Sequence, residues 1–217
     1  MSFSFSEDET LMLREQPIEG SAVAPLQSEL MHFRRGENLH RCGYEGAWKI
    51  HSGYVRSLTW NLEGDFVPLG FWGEGDIVGN AENQAHSYSY QAQCLTTVSA
   101  EYLGSNHAYS RAVLLANVRQ SRDLLQIAYC RQTKLRLLCF ISWLANTFGE
   151  PAPGGRRILA KLTHQEIAES IASTRVTVTR LLKMLACEGK IVWSSRERIV
   201  YDNVLLEAYE YGKDATI

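Results

Sequence analysis

The stretch Thr163-His-Gln-Glu-Ile-Ala-Glu-Ser-Ile-Ala-Ser-Thr-Arg-Val-Thr-Val-Thr-Arg-Leu-Leu-Lys-Met-Leu185 reads as two short helices joined by a tight turn. Thr163 is a good helix N-cap, and Glu166, three residues later, completes a capping box. Ile167 and Ile171 are four apart and share one helix face. Ala168 is small and allows a second helix to approach. Ala172-Ser173-Thr174 makes the turn, with Ser173 or Thr174 placed to cap the second helix. That helix, expected over Thr174–Ala186, has an apolar back of Val178, Leu181, Leu182 and Leu185. Its front carries Arg175, Val176, Thr177, Thr179, Arg180 and Lys183. A greasy back, a front of Arg and Thr, and a compact turn before it match a helix-turn-helix.

That front suits the major groove of DNA. A guanidinium is a planar fork that matches the O6 and N7 acceptors of guanine. Arg175 and Arg180 are five apart, about a turn and a half, and lie on neighbouring parts of one surface. Val176 and the threonine methyls are suited to thymine methyl groups. Arg175, Val176, Thr177 and Arg180 are therefore the expected base readers. Beyond the helix, Gly189 is expected to stop it. Ile191–Trp193 and Arg198–Tyr201 then read as a hairpin around Ser194-Ser195-Arg196-Glu197, a wing whose Arg196 and Arg198 reach the sugar-phosphate backbone. Thr163, His164, Thr174, Thr179 and Lys183 complete the expected backbone contacts.

Charge is distributed to match. The 217 residues carry a net charge of −2, which excludes a general polyanion binder. Yet residues 154–200 hold nine basic and four acidic side chains, a local +5 that leaves −7 on the remainder. A basic unit joined to an acidic one is the pattern of local nucleic-acid binding. The five cysteines, Cys42, Cys94, Cys130, Cys139 and Cys187, are scattered, without a C-x-x-C pair. Neither a zinc site nor a disulfide framework is expected, and free thiols fit a reducing compartment. The six histidines show neither H-x-H nor H-x-x-E-H spacing, which stands against a metalloenzyme of the cupin type. No signal-peptide pattern or membrane-spanning apolar run is seen, so a cytoplasmic protein with no membrane partner is expected.

The N-terminal half has a different rhythm. After a segment expected to hold a short helix at Glu7–Arg14, short β runs alternate with turns. They are Leu30–Arg34, Ala47–Ser52, Tyr54–Asn61, Phe66–Trp72, Asp76–Val78, Gln91–Cys94 and Thr97–Tyr102. Turns are marked at Arg35-Gly36-Glu37, Ser52-Gly53, Glu63-Gly64-Asp65 and Gly73-Glu74-Gly75-Asp76. Short strands with Gly-rich turns predict a barrel or sandwich. A long helix comes next, about 106–130, whose Leu115, Val118, Leu125 and Tyr129 fall at spacings of 3, 7 and 4 near a coiled-coil seam. A second, about Thr133–Phe148, carries Leu137, Leu138, Ile141 and Leu144 as a core stripe, widened by Phe140 and Trp143. Gly149-Glu-Pro-Ala-Pro-Gly-Gly155 is expected to break the helical run, with a short strand within Arg156–Leu162. The tail, Asn203–Ile217, is expected to add a last short helix.

On these residues the chain resembles the Crp/Fnr family of bacterial transcription regulators. The subsegment Ser173-Thr-Arg-Val-Thr-Val-Thr-Arg-Leu-Leu182 is especially similar to the recognition helix of cyanobacterial nitrogen-control regulators. Trp48–Arg56 and Leu69–Gly79 are similar to the β-roll of cyclic-nucleotide-binding-like domains. The resemblance implies an α+β fold: a β-roll sensor-like domain over residues 1–105, a dimerisation helix and hinge over 106–148, and a winged helix-turn-helix over 149–217. It further implies a homodimer acting on double-stranded DNA, with half-sites containing GTA and its complement TAC, and RNA polymerase as a partner.

Effector control is where the chain departs from the pattern. In the cyclic-nucleotide binders a Gly-Glu pair holds the ribose and a later Arg-Ser pair the phosphate. Here the first reads Gly79-Asn80, the second region Ala85-His86-Ser87-Tyr88, and no arginine stands between Arg56 and Arg111. A buried phosphate needs a paired cation. The residues therefore stand against cyclic AMP and against the arginine-dependent 2-oxoglutarate site of the nitrogen regulators. The alternatives are a cyclic-nucleotide- or 2-oxoglutarate-gated regulator with a divergent pocket, another effector, or none. No cofactor is expected. Asn80, His86, Ser87 and Tyr88, with Tyr90 and Gln91 beside them, are the candidate pocket residues. Arg122, on the long helix that in the family pairs with its twin beside the pocket, is the candidate anion contact.

Overall fold

In a computed structural model of the chain, residues 30–39, 47–79, 90–104 and 107–205 are described. The helix expected at Glu7–Arg14 and most of the tail lie outside these residues. All seven expected N-terminal strands form: β1 (Leu30–Phe33), β2 (Ala47–Ser52), β3 (Val55–Trp60), β4 (Phe66–Trp72), β5 (Ile77–Gly79), β6 (Gln91–Cys94) and β7 (Val98–Gly104). They build two antiparallel sheets, ordered β1-β7-β2-β5 and β4-β3-β6.

Alternation along the strands turns one face of each sheet inward. Phe33, Trp48, Ile50, Val55, Trp72, Val78, Cys94 and Val98 share the resulting core. Phe33 meets Trp48 edge-on at 5.3 Å. Burial, and secondarily Glu37, pushes the Cys94 thiol up to about 12, so it packs as an inert apolar group. The expected turn at Ser52-Gly53 holds Gly53 at φ +91°, where a Cβ would collide with the Thr97 carbonyl. Pro68, which has no N–H to donate, sits on the edge strand β4 beside a register shift opposite Ser57/Leu58.

Two helices come next, α1 (His107–Ala128) and α2 (Thr133–Phe148). Polar side chains dock α1 along β4. The Gln120 amide donates to the Phe71 carbonyl at 2.8 Å, and Ser121 Oγ donates to Leu69 O at 3.0 Å. These bonds occupy backbone groups that an edge strand otherwise offers to another chain. Leu114, Leu115, Val118 and Leu125 on α1, and Tyr129 just past its end, are left exposed, Tyr129 by 81%.

Helix α2 buries Leu137, Leu138, Phe140, Ile141 and Leu144, the expected stripe. The core built on it reaches both ways. Phe71 and Leu95 of the strand unit and Leu124 and Ile127 of α1 join it from one side; Ile167, Val178, Leu182, Leu185 and Val200 join from the other. Phe71 lies 5.7 Å from Phe140 and 5.8 Å from Trp143, ring centre to ring centre.

The Pro/Gly segment after α2 is not a simple break. Gly149–Ala152 forms β8, paired in a hairpin with β9 (Gly155–Ile158). Pro151 is tolerated because β8 is an edge of the sheet β10-β11-β9-β8, whose β10 (Ile191–Trp193) and β11 (Arg198–Tyr201) are the expected wing. Arg156 turns inward, donating to Ala145 O at 2.8 Å and Gly149 O at 2.6 Å, and so satisfies carbonyls at the end of α2. Between β9 and β10 lie α3 (His164–Ser170) and α4 (Arg175–Cys187). A short helical turn begins the tail, and its Val204 is buried. Among the described residues no helix is long and apolar enough to cross a membrane.

Leu144 has no exposed surface and lies at the centre of the shared core. Leu144→Ala is expected to destabilise the fold by about 3 kcal/mol. Urea unfolding checks this; a loss under about 1 kcal/mol would contradict the packing described.

Candidate nucleic-acid interface

The helix pair α3–α4 is held by local bonds that its sequence anticipates. Thr163 Oγ1 accepts from the Glu166 N–H at 3.1 Å, and the Glu166 carboxylate accepts from the Thr163 N–H at 2.5 Å, closing the capping box. Ile167, Ala168 and Ile171 are fully buried. The turn uses a Schellman arrangement: the Ala172 N–H donates to Glu169 O and the Ser173 N–H to Ala168 O. Ala172 takes φ +47°, a left-handed conformation that usually calls for glycine. Thr174, of the two candidate caps, accepts from the Thr177 N–H at 3.2 Å and starts α4.

Val178, Leu181, Leu182 and Leu185 anchor the back of α4. A second Schellman turn ends the helix, with the Lys190 N–H donating to Leu185 O and Gly189 at φ +68°. Gly189 therefore stands one residue past the cap, Glu188. With both ends fixed and the back buried, the front is presented at a set rotation. Arg175, Val176, Arg180 and Lys183 are exposed on it, Val176 by 79%. Thr177 is half-buried beside them.

A polar chain ties α3 to this front. Thr179 Oγ1 donates to Arg175 O at 2.8 Å, so it accepts from His164 Nδ1, also at 2.8 Å. Burial lowers the His164 pKa, and Arg198, Arg175 and Lys183 lower it further. The imidazole is thus neutral with Nδ1 protonated. Neither this bond nor the left-handed Ala172 is evident from spacing alone.

The expected backbone contacts divide into two groups. Thr163, Thr174, Lys183 and Arg196 are exposed, with Arg196 at the tip of a wing closed by Ser194 N–H donating to Glu197 O at 2.8 Å. His164 is half-buried next to them. Thr179 and Arg198, by contrast, are engaged inside the unit. Arg198 donates to Ala160 O at 3.2 Å and lies 5.2 Å from the centre of the Trp193 ring. Burial, then Arg35, lowers its pKa. Arg198, expected to contact the sugar-phosphate backbone, is half-buried in the ladder pair next to the wing's turn, opposite Trp193, with the Ala160 carbonyl as its partner.

The expected effector pocket is only bordered by the described residues. Asn80, His86, Ser87 and Tyr88 lie outside them. At the border, Asn117 Nδ2 donates to Gly79 O at 3.0 Å, Tyr90 packs against the strand core, and Gln91 opens β6. Arg122 is 65% exposed, pairs with its neighbour Asp123 at 2.9 Å, and lines a cleft of about 620 Å³ with Asn61, Phe66, Leu125 and Ser173. Among the described residues no three His, Cys, Asp or Glu side chains gather where they would hold a metal. Cys94, Cys130 and Cys187 are free thiols.

Comparison with known proteins gives a consistent picture. Residues 135–208 match the model of the Crp-like helix-turn-helix domain. The chain is 37% identical over 183 residues to the regulatory protein CysR of Synechococcus elongatus, covering 83% of this chain and 87% of that one. It is 30% identical over 212 residues to the global nitrogen regulator of the same organism, covering 89% and 93%. Among solved structures it is similar to a CRP-family transcriptional regulator of Thermus thermophilus, with a TM-score of 0.65 at 24% identity, covering 83% and 95%. FixK2 of Bradyrhizobium japonicum aligns with a TM-score of 0.66 at 16% identity, covering 85% and 97%. These two likenesses show the fold. The sequence relatives are regulators and not enzymes.

Two outcomes test this geometry. Ala172→Gly relieves the left-handed strain and is expected to stabilise the protein by roughly 1 kcal/mol, read from the denaturation midpoint. His164 resists protonation when folded, so the unfolded chain takes up a proton first as pH falls through the ordinary imidazole range. Stability is therefore full above that range and is lost on acidification. His164→Asn is expected to weaken the dependence of stability on pH between about 7.5 and 5, measured by urea titration at each pH; an unchanged dependence would contradict the assignment.

Proposed function

Because the chain belongs to the Crp/Fnr family of transcription regulators, we propose that it is a dimeric, sequence-specific DNA-binding regulator that reads a palindrome through α4. The observation that carries this reading is the exposed front of α4, with its cations and methyl groups, held rigidly by two capped turns and a buried back. Arg175, Val176, Thr177 and Arg180 read base edges in the major groove. Thr163, His164, Thr174, Lys183 and Arg196 position the unit on phosphates. Arg198 and Thr179 act from within, by holding the wing and the start of α4.

Two copies pair through the exposed apolar face of α1, where Leu115, Val118, Leu125 and Tyr129 need a partner surface. Two-fold symmetry then sets the half-sites about 34–36 Å apart. The similarity of 173–182 to the nitrogen-control regulators supports a half-site of GTA with its complement TAC. In this reading the chain divides into a sensor-like unit (1–105), a pairing and hinge unit (106–148) and a DNA-reading unit (149–217), works in the cytoplasm and acts on RNA polymerase. Cyclic AMP is not its effector, because Asn80 and His86 replace the carboxylate and the cation that such a ligand requires.

Arg180→Ala is the decisive test. Fluorescence anisotropy on a GTA…TAC palindrome is expected to show a loss of about 1–3 kcal/mol, with a smaller loss on a duplex mutated at the contacted guanine. Undiminished selectivity in the variant would defeat the assigned role.

A further inference from the structure

Two arginines of the strand unit close on one face of α3. Arg56, on β3, has a side chain only 5% exposed. Its Nε and Nη2 both donate to Gln93 Oε1, at 3.0 and 2.8 Å, across the β3–β6 ladder that sets Arg56 opposite Gln93. Its Nη1 donates to Glu169 Oε2 at 2.7 Å. The other oxygen of Glu169 accepts from Gln165 Nε2 at 3.1 Å. Arg35, in the turn after β1, spans both oxygens of Glu166 at 3.0 and 2.9 Å and donates to the carbonyls of Lys161, at 2.7 Å, and Leu95. Glu166 and Glu169 are three apart and therefore on the same face of α3. Glu166 also closes the capping box at the start of that helix.

An apolar contact such as Phe71 on Phe140 tolerates sliding and rotation; a short charge-assisted hydrogen bond, with its arginine held from behind by Gln93, tolerates much less. The Arg56–Glu169 pair is buried and the Arg35 side chain is 41% exposed; a buried ion pair adds little net stability against an apolar substitute, and its use here is to favour one geometry. We propose that Arg56 and Arg35 form a two-point latch that locks α3, and through it α4, at one angle to the strand unit and α1. The proposal rests on the reading of α4 as the DNA-contacting helix. With both points closed, Arg175, Val176 and Arg180 are exposed, and we take this latched arrangement as the binding-competent one. In a symmetric pair the second half-site is captured with an effective concentration that depends on how firmly the two heads are held. The latch therefore governs affinity for a palindrome and leaves affinity for a single half-site alone. Any event in the strand unit that withdraws Gln93 from Arg56, or Arg56 from Glu169, opens one point of the latch.

Arg56→Ala and Arg35→Ala test this with full-length protein by anisotropy on a palindromic duplex and on a duplex with one half-site. Each variant is expected to bind the palindrome at least tenfold more weakly and the half-site within twofold of the parent. Amide exchange across 164–170 is expected to quicken in both. The swapped pair R56E/E169R, in which the Gln93 amide can turn to donate, is expected to recover palindrome binding to within threefold. Equal losses on both duplexes, unchanged palindrome binding, or a folded swap that fails to recover would each overturn the latch. Should Arg56→Ala fail to fold, Arg35→Ala and the swap decide. If the parent protein itself shows no sequence selectivity, the reading of α4 is what fails, and unchanged exchange in α3 is then the result that overturns the latch.

Discussion

Burial of the α2 stripe is the constraint from which the architecture derives. Leu137, Phe140, Ile141 and Leu144 have no exposed surface, although no single neighbour covers them. Phe71 and Leu95 close them off from the strand unit, Leu124 and Ile127 from α1, and Ile167, Leu182 and Leu185 from the helix pair. Apolar area removed from water contributes about 25 cal/mol per Å². The strand unit and the helix-turn-helix are consequently two sides of a common interior. Beside that interior, Arg56 and Arg35 bridge from the strand unit to Glu169 and Glu166 of α3.

The chemistry of the front of α4 depends on the same interior at one remove. Four buried aliphatic residues fix the helix roll, and capped turns at either end fix its length. His164 and Thr179 then fasten the first turn of α4 to the first residue of α3. An exposed arginine on a loose helix samples many directions. On a helix held at its back, both ends and one flank, Arg175 and Arg180 need only settle their own rotamers, which lowers the entropy lost when a partner is engaged.

Much of this is legible from residue order. Strands with alternating patterns and glycine turns lie where expected, and β2, β4 and β6 have the expected bounds. The α2 stripe, the capping box and the apolar back of α4 come from periods of 3.6 and from cap chemistry, which are local. The features that escape are non-local. The Arg56–Glu169 and Arg35–Glu166 pairs join residues 113 and 131 positions apart, and no window of sequence contains both partners. Two prolines and three glycines in a row of seven argue against any strand, which hides β8; only its place at a sheet edge permits it. Hairpin arginines usually face solvent, whereas the Ala160 carbonyl and the Trp193 ring draw Arg198 in. The candidate pocket around Asn80 and His86 rests on residue identity alone.

The common interior also has a consequence for how the chain is made. Synthesis delivers the N-terminal strands first, so Phe71, Leu95 and Leu124 emerge well before Phe140, Ile167 and Leu182. Until α2 and the residues after it have left the ribosome, those early side chains lack the larger part of the cluster that buries them. The nascent polypeptide is thus sticky on one flank for the whole of that interval. Its maturation is timed by translation of residues 133–205 rather than by folding of the strands, and chaperone dependence would concentrate there.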